Sequence, residues 1–257
     1  MATFLIASIL VLVYMTLIFC FALTIKDNSV VDIFYGTAFL VGCWGSYLIY
    51  GSGHPRQWLI LLLLTIWGLR LAIHLFFKKR GHEEDFRYRK WREEWGETFV
   101  WRSFLQIFML QGLVVVAVST PALLVVTSPG ETLGWPDLVG TFIWFFGFFF
   151  EALGDWQLLR FKSDPANRGK IMRYGLWKTT RHPNYFGEAL LWWGIFLIGL
   201  GASQGMIGIV SPLLIGFLLL KVSGIPMLEE KYEGNPEFEL YRKQTNAFFP
   251  WFPGRGG

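Results

Sequence analysis

Long, almost uncharged apolar runs recur from one end of this chain to the other, and nothing else in it narrows the possible folds so far. A hydrocarbon core of roughly 30 Å takes about 20 helical residues to cross, and inside it every backbone N–H and C=O must be satisfied within the segment. Runs of that length read as transmembrane helices, and they can be drawn over 3–25, 31–51, 57–77, 103–127, 137–159, 187–203 and 205–221. Of the 257 residues 53% are hydrophobic and 16% charged, whereas about a quarter charged is usual for a soluble domain. The expectation is an all-α integral membrane protein of about seven transmembrane helices, forming a single membrane domain over 1–257. Met1-Ala2-Thr3-Phe4 lacks the basic start of a signal peptide, so the first run reads as a retained helix. Only Ala202-Ser203-Gln204-Gly205 separates the last two runs, which should therefore form an antiparallel hairpin.

Charge then orients the chain. The formal net charge is +4, with eight Lys or Arg over 78–102 and seven over 160–181 against one acid, Asp164. The loop from Ser128 to Asp137 holds two acids and no Lys or Arg. Basic loops stay in the cytoplasm, so seven spans put the N-terminus outside and the C-terminal tail, with Lys231, Arg242 and Lys243, in the cytoplasm. Because the cations sit in loops between spans, the excess reflects topology and no nucleic-acid partner is expected. Cys20 and Cys43 lie inside apolar runs and read as packed thiols rather than a disulfide or metal pair; no metal is expected. Trp58, Trp101, Trp135 and Tyr174 mark span ends, as interfacial aromatics do.

The densest polar feature is Arg181-His182-Pro183-Asn184-Tyr185-Phe186-Gly187-Glu188, at the mouth of the sixth run. Polar groups there are costly unless a ligand or partner satisfies them. Pro183 suits the first helical position, which puts Asn184 and Glu188 four apart on one face. An amide and a carboxylate suit the polar ends of a nucleotide. Glu151 and Asp155 share a face of the fifth run in the same way, with interfacial solvation as the plainer account. Arg160, Lys162, Arg168, Lys170 and Arg173 then supply cations of the kind that bind phosphate, with anionic lipid headgroups as the plainer account. His182 is open between a base, a stacking partner and a helix-start hydrogen bonder. In the N-terminal half, Arg70 lies inside the third run, and its candidate partners are Asp32 and Gln111.

The stretch Glu151–Lys162, the Gly175-Leu176-Trp177 turn, the Arg181–Glu188 run and Ser223-Gly224-Ile225-Pro226-Met227-Leu228-Glu229 resemble the steroid 5-alpha-reductase-like family. The closer likeness is to its bacterial branch, long filed as a domain of unknown function, and it is strongest from about residue 140 onward. The resemblance implies a seven-helix reductase of a bacterial inner membrane, using NADPH to reduce a carbon–carbon double bond in a hydrophobic enone such as a 3-oxo-4-ene steroid. It implies that 131–257 binds the cofactor and 1–130 the steroid or lipid substrate. By position, Asp155, Lys162, Asn184 and Glu188 match polar groups that hold the dinucleotide. Sterol reductases share the Arg-His-Pro-Asn-Tyr run, which places Arg181, His182 and Tyr185 near the cofactor. Glu151, Arg168, Lys170, Tyr241 and Arg242 complete the expected cofactor set.

One departure concerns catalysis. Steroid 5-alpha-reductases carry an adjacent Gln-Glu pair in the N-terminal half that, with a Tyr, polarises the substrate ketone, and this chain has no such pair there. Hydride addition to an enone needs its carbonyl oxygen stabilised, and Tyr35, Tyr88, Asp32, His74 and Gln111 are the candidates. The alternative is a membrane methyltransferase resembling isoprenylcysteine carboxyl methyltransferases, which share an Arg-His-Pro-x-Tyr run but bind S-adenosylmethionine, a cofactor without phosphates. The dense cations and the acids Asp155 and Glu188 favour the dinucleotide. A third class is a lipid-binding or scaffolding protein without catalysis.

Overall fold

The computed structural model describes residues 2–81, 83–128 and 132–251, and no β-strand occurs among them. In chain order the helices are α1 (Ala2–Ile25), α2 (Val30–Tyr50), α3 (Pro55–Lys79), α4 (Phe86–Trp95), α5 (Phe99–Ser103), α6 (Leu110–Val118) and α7 (Thr120–Thr127). They continue as α8 (Trp135–Ser163), α9 (Pro183–Gly199), α10 (Val210–Phe217), α11 (Ile225–Glu230) and α12 (Pro236–Gln244). Six helical stretches among the described residues are long and apolar enough to cross a membrane: Ala2–Ile25, Val30–Tyr50, Pro55–Lys79, Phe86–Val118, Trp135–Ser163 and Gly205–Glu230. The remaining expected span corresponds to α9, a 17-residue helix. The protein is an all-helical membrane protein.

Two expectations change. The segment 78–102, read as a basic loop, contains α4, which runs through a 3-10 turn at Gly96–Thr98, α5 and a π-turn at Phe104–Met109 into α6. Asp85 caps α4 by accepting from the Arg87 N–H at 3.1 Å; charge alone had concealed a ten-residue helix. The run 103–127 breaks between α6 and α7, because Pro121 in the first turn of α7 cannot donate back into α6.

The chain forms two compact units. The first comprises Met1–Gly134 with Ile198–Val210, the second Trp135–Leu197 with Ser211–Gly257. In the first, Gln57 Oε1 accepts from the backbone N–H groups of Ser52, Gly53 and His54 at 3.0–3.3 Å, which starts α3 at Pro55. Arg56 beside it donates to the carbonyls of Gly201 (2.6 Å) and Thr132 (3.0 Å), tying the distant segment 198–210 to α3. Cys43 is buried and Cys20 exposed, both as free thiols.

In the second unit α8 has two contrasting faces. Phe142, Phe145, Phe146 and Phe149 are exposed, as a lipid-facing stripe at helical spacing should be. The opposite face carries Gly140, Gly147 and Gly154, seven residues apart, and meets Gly187 and Gly194 of α9 in antiparallel register. A Cβ on Gly187 would stand 2.3 Å from the Glu151 nitrogen, and one on Gly147 2.6 Å from the Gly187 oxygen. The two backbones therefore touch, the close approach small residues give to helices in lipid. Trp58, Trp101, Trp135 and Tyr174 are all at least half exposed, as interfacial anchors are.

Candidate functional site

The glycine contact sets the site, because it brings the polar end of α8 against the first turn of α9. Glu151 and Asp155 are buried, at 3% and 8% exposure, despite lying at the end of a membrane helix. Asn184 Nδ2 donates to Asp155 Oδ1 at 3.1 Å, while Asn184 Oδ1 is buried without a hydrogen-bond partner. Glu188, one turn further along α9, is half-buried.

Arg181 and His182 are buried immediately before α9. The guanidinium grips Glu229 in a two-pronged contact, Nε to Oε1 at 2.8 Å and Nη2 to Oε2 at 3.1 Å. Its remaining arm, Nη1, donates to the carbonyls of Thr245 (2.5 Å) and Arg242 (3.2 Å). This is the bidentate geometry in which Arg pairs most strongly with a carboxylate. His182 Nε2 meets Glu229 Oε1 at 3.0 Å, its Nδ1 is buried without a partner, and its ring stacks on Tyr185 at 5.5 Å and 8°.

The C-terminal tail is stitched along the same segment. Thr180 Oγ1 donates to the Ala247 and Phe248 carbonyls, the Arg181 N–H to Asn246 O, and the Trp251 N–H to Thr179 O. The Tyr241 hydroxyl donates to Trp177 O, and burial pushes its pKa upward, so it remains a neutral donor. The Trp177 indole N–H in turn reaches Gly154 O at 3.0 Å, and Gln157 Oε1 accepts from the Leu176 N–H at 3.0 Å. Glycine suits position 175 at this turn: its φ is +60°, and a Cβ would push the Gln157 amide, 2.5 Å away, out of its contact.

Past Asp155, α8 leads into an open groove of about 470 Å³ lined by Trp156, Gln157, Arg160, Phe161, Asn167 and Tyr174 among others. Arg160 lies over the Trp156 ring at 5.4 Å. Lys162, Arg168 and Lys170 are exposed around the same turn-rich segment. Asp164 Oδ1 is engaged by the Ala166 N–H at 2.9 Å. Among the described residues no group of three His, Cys, Asp or Glu is arranged to hold a metal ion.

The first unit has a polar cluster of its own. The Tyr88 hydroxyl donates to Asp32 Oδ1 at 2.6 Å and Arg87 Nη2 to Asp32 Oδ2 at 2.9 Å; Tyr88 is 2% exposed. The Gln111 side chain approaches the same hydroxyl, and its Oε1 is buried without a partner. Three of the five sequence candidates thus come together. Tyr35 sets its ring edge-on to Phe39 at 5.2 Å, and His74 is half-buried on α3. Asp85 accepts from Arg87 Nε at 2.9 Å; burial works against its charged form, yet Arg87 holds its pKa below the usual carboxylate range.

Sequence reasoning missed Arg87, Glu229, Thr180 and Gln157. The signal for Glu229 was an acid directly after an apolar segment, and for Arg87 its place beside a candidate Tyr. Thr180 is a loop contact with no local signature, and Gln157 lies in α8 two residues after Asp155.

The model of the family described as "Protein of unknown function (DUF1295)" matches residues 18–245, a stretch that holds both polar clusters. The chain belongs to this family. A relative in Schizosaccharomyces pombe, described as "Uncharacterized protein C594.04c", is 26% identical over 238 residues, covering 81% of this chain and 68% of its own length. No solved structure gives a significant match.

Proposed function

We propose that this protein is an NADPH-dependent membrane reductase of a carbon–carbon double bond in a hydrophobic enone, a 3-oxo-4-ene steroid or a similar lipid. The observation that carries the reading is the hydrogen bond from Asn184, half-buried in the first turn of α9, to the buried Asp155, which leaves the Asn184 amide oxygen buried without a partner. A buried polar atom without a partner costs about 1–3 kcal/mol, and a ligand hydroxyl or carboxamide at this spot would remove that cost. The residues present fit a dinucleotide: hydrogen-bonding side chains at the α9 start, and exposed Lys162 in the last turn of α8 with exposed Arg168 and Lys170 beyond it for its phosphates.

In this reading Glu151, Asp155, Asn184 and Glu188 orient the nucleoside portion, His182 and Tyr185 form a flat wall, and Arg181, Tyr241 and Arg242 fasten the tail beside it. Bound NADPH supplies a hydride. Tyr88, whose hydroxyl would leave Asp32 to donate to the substrate carbonyl, would stabilise charge developing on its oxygen; Asp32, Gln111, Tyr35 and His74 complete the candidate set. Seven spans, the N-terminus outside and a bacterial inner membrane belong to the same reading. The basic segments 78–102 and 160–181 support that orientation.

A ligand that binds only the folded state stabilises it by about 2.7 kcal/mol at a hundred times its Kd. Thermal unfolding of the purified protein should therefore shift upward with NADPH and stay unchanged with S-adenosylmethionine, and Asn184→Ala should abolish the shift. Stabilisation by S-adenosylmethionine alone favours a methyltransferase. No shift with either, together with an intact cellular role for Asn184→Ala and Glu188→Ala, favours a non-enzymatic protein.

A further inference from the structure

The exposed aromatic stripe of α8 runs on into its polar end. Phe142, Phe149 and Trp156 are seven residues apart and all exposed, so they keep to one face of the helix, drifting about 20° per step. Arg160 follows Trp156 by one turn, and its guanidinium lies over that ring at 5.4 Å. Both line the groove beyond Asp155, together with Gln157, Phe161, Met172 and Tyr174. Phe149 and Arg160 are separated by eleven residues, which at 1.5 Å each is about 16 Å. That is close to half of a hydrocarbon core of roughly 30 Å. One leaflet of lipid therefore matches the distance from the middle of the stripe to the guanidinium.

The polar groups of the groove are donors in want of an acceptor. The Arg160 guanidinium makes no hydrogen bond or ion pair among the described residues, and its contact is the Trp156 ring. The Gln157 amide is oriented by its backbone partner. Only an oxygen can accept from the Leu176 N–H, so Oε1 takes it at 3.0 Å and Nε2 is left as a donor. Asp164, the one acid in the lining, has Oδ1 engaged by the Ala166 N–H. The surrounding segment 160–181 carries seven Lys or Arg against that single acid. A phosphate suits this set. The ammonium of a choline or ethanolamine head does not: it would meet like charge, and Arg160 already covers the Trp156 face it would use. The rim is aromatic, with Trp156 53% and Tyr174 66% exposed, as rings at headgroup level are. A soluble anion would leave these rings bare, whereas a phospholipid covers them with its glycerol and acyl chains.

We propose that this groove seats the headgroup of an anionic glycerophospholipid, with its phosphate at Arg160 and Gln157 Nε2 and its acyl chains along Trp156 and Phe149. None of Arg160, Gln157 and Trp156 belongs to the cofactor set proposed above, so the lipid seat stands or falls independently of that reading.

Native mass spectrometry of the full chain released from detergent gives the test, with phosphatidylglycerol, phosphatidylcholine of the same acyl chains, and inorganic pyrophosphate as probes. The first lipid retained should be phosphatidylglycerol, bound about 5-fold or more tightly than phosphatidylcholine. Arg160→Ala and Gln157→Glu should each erase that preference; the second keeps the acceptor for Leu176 and puts an anionic oxygen in place of the donor. Lys178→Ala removes the same charge from the same segment but outside the groove lining, and should leave the preference standing. Millimolar pyrophosphate should not displace the lipid. Unfolding temperatures of the lipid-free variants separate lost binding from lost folding, and the wild-type comparison of the two lipids decides the matter even where a variant fails to fold. Equal retention of both lipids, or equal losses in Arg160→Ala and Lys178→Ala, overturns the seat in favour of a general attraction of anionic lipid to the basic segment. Displacement by pyrophosphate overturns it in favour of a soluble-phosphate site.

Discussion

Gly187→Leu should abolish folded protein, or leave only a trace of it after detergent extraction. A Cβ alone at Gly187 would lie 2.3 Å from the Glu151 nitrogen and 2.5 Å from Gly147 O, both backbone atoms that cannot swing aside as a side chain would. Overpacking a core costs typically 1–3 kcal/mol when side chains can adjust; two rigid helices forced apart along their contact should exceed that range. Even Gly187→Ala should be strongly destabilising. The control is Gly216→Ala in α10, where a Cβ would meet nothing within 4 Å, and which should be neutral or slightly favourable because Ala is the better helix former. Size-exclusion profiles and unfolding temperatures of the three variants give the comparison. Equal behaviour at Gly187 and Gly216 would refute the α8–α9 contact.

Arg181→Met should cost about 3–5 kcal/mol, because it strips the largely covered Glu229 carboxylate of its bidentate partner and leaves it only His182. The guanidinium is 8% exposed and joins Glu229 to the carbonyls of Thr245 and Arg242, so one substitution also releases the tail. Arg173→Met makes a fair control: its pair with Glu237 is of similar length, 2.9 Å against 2.8 Å, but both partners are more than a third exposed, and such pairs are worth about 0–1 kcal/mol. The double variant Arg181→Met with Glu229→Leu should recover part of the loss, since removing both charges removes the desolvation problem. Proteolysis of the C-terminal tail should accelerate in Arg181→Met and not in Arg173→Met. If the double variant is no more stable than Arg181→Met, the cost lies in packing rather than in the buried charge.

Much of this architecture was legible in the sequence because lipid imposes a simple rule: a spanning helix is a long apolar run. The shared face of Asn184 and Glu188 follows from spacing alone. The α4 helix was hidden, because Arg, Lys and Glu suit both a solvated loop and a helix whose charges are paired across to other segments. The break at Ser119 is marked in the sequence by Thr120-Pro121, since a proline cannot donate back into the preceding helix. The seven-residue spacing of Gly140, Gly147 and Gly154 is visible only once their counterparts Gly187 and Gly194 are known to lie opposite. Glu229 illustrates the remaining gap. It is 47 residues from His182 in sequence, and no local pattern links an acid after one helix to a histidine before another.

The central claim is tested most directly by turnover. Purified full-length protein in nanodiscs, given NADPH and a 3-oxo-4-ene steroid, should oxidise one NADPH for each enone converted to the saturated ketone. Asn184→Ala should reduce this by weakening cofactor binding, and Tyr88→Phe by removing the hydroxyl held at Asp32. NADPH that binds the protein while a panel of steroid and lipid enones is returned unchanged, or methyl transfer from S-adenosylmethionine in its place, would contradict the account.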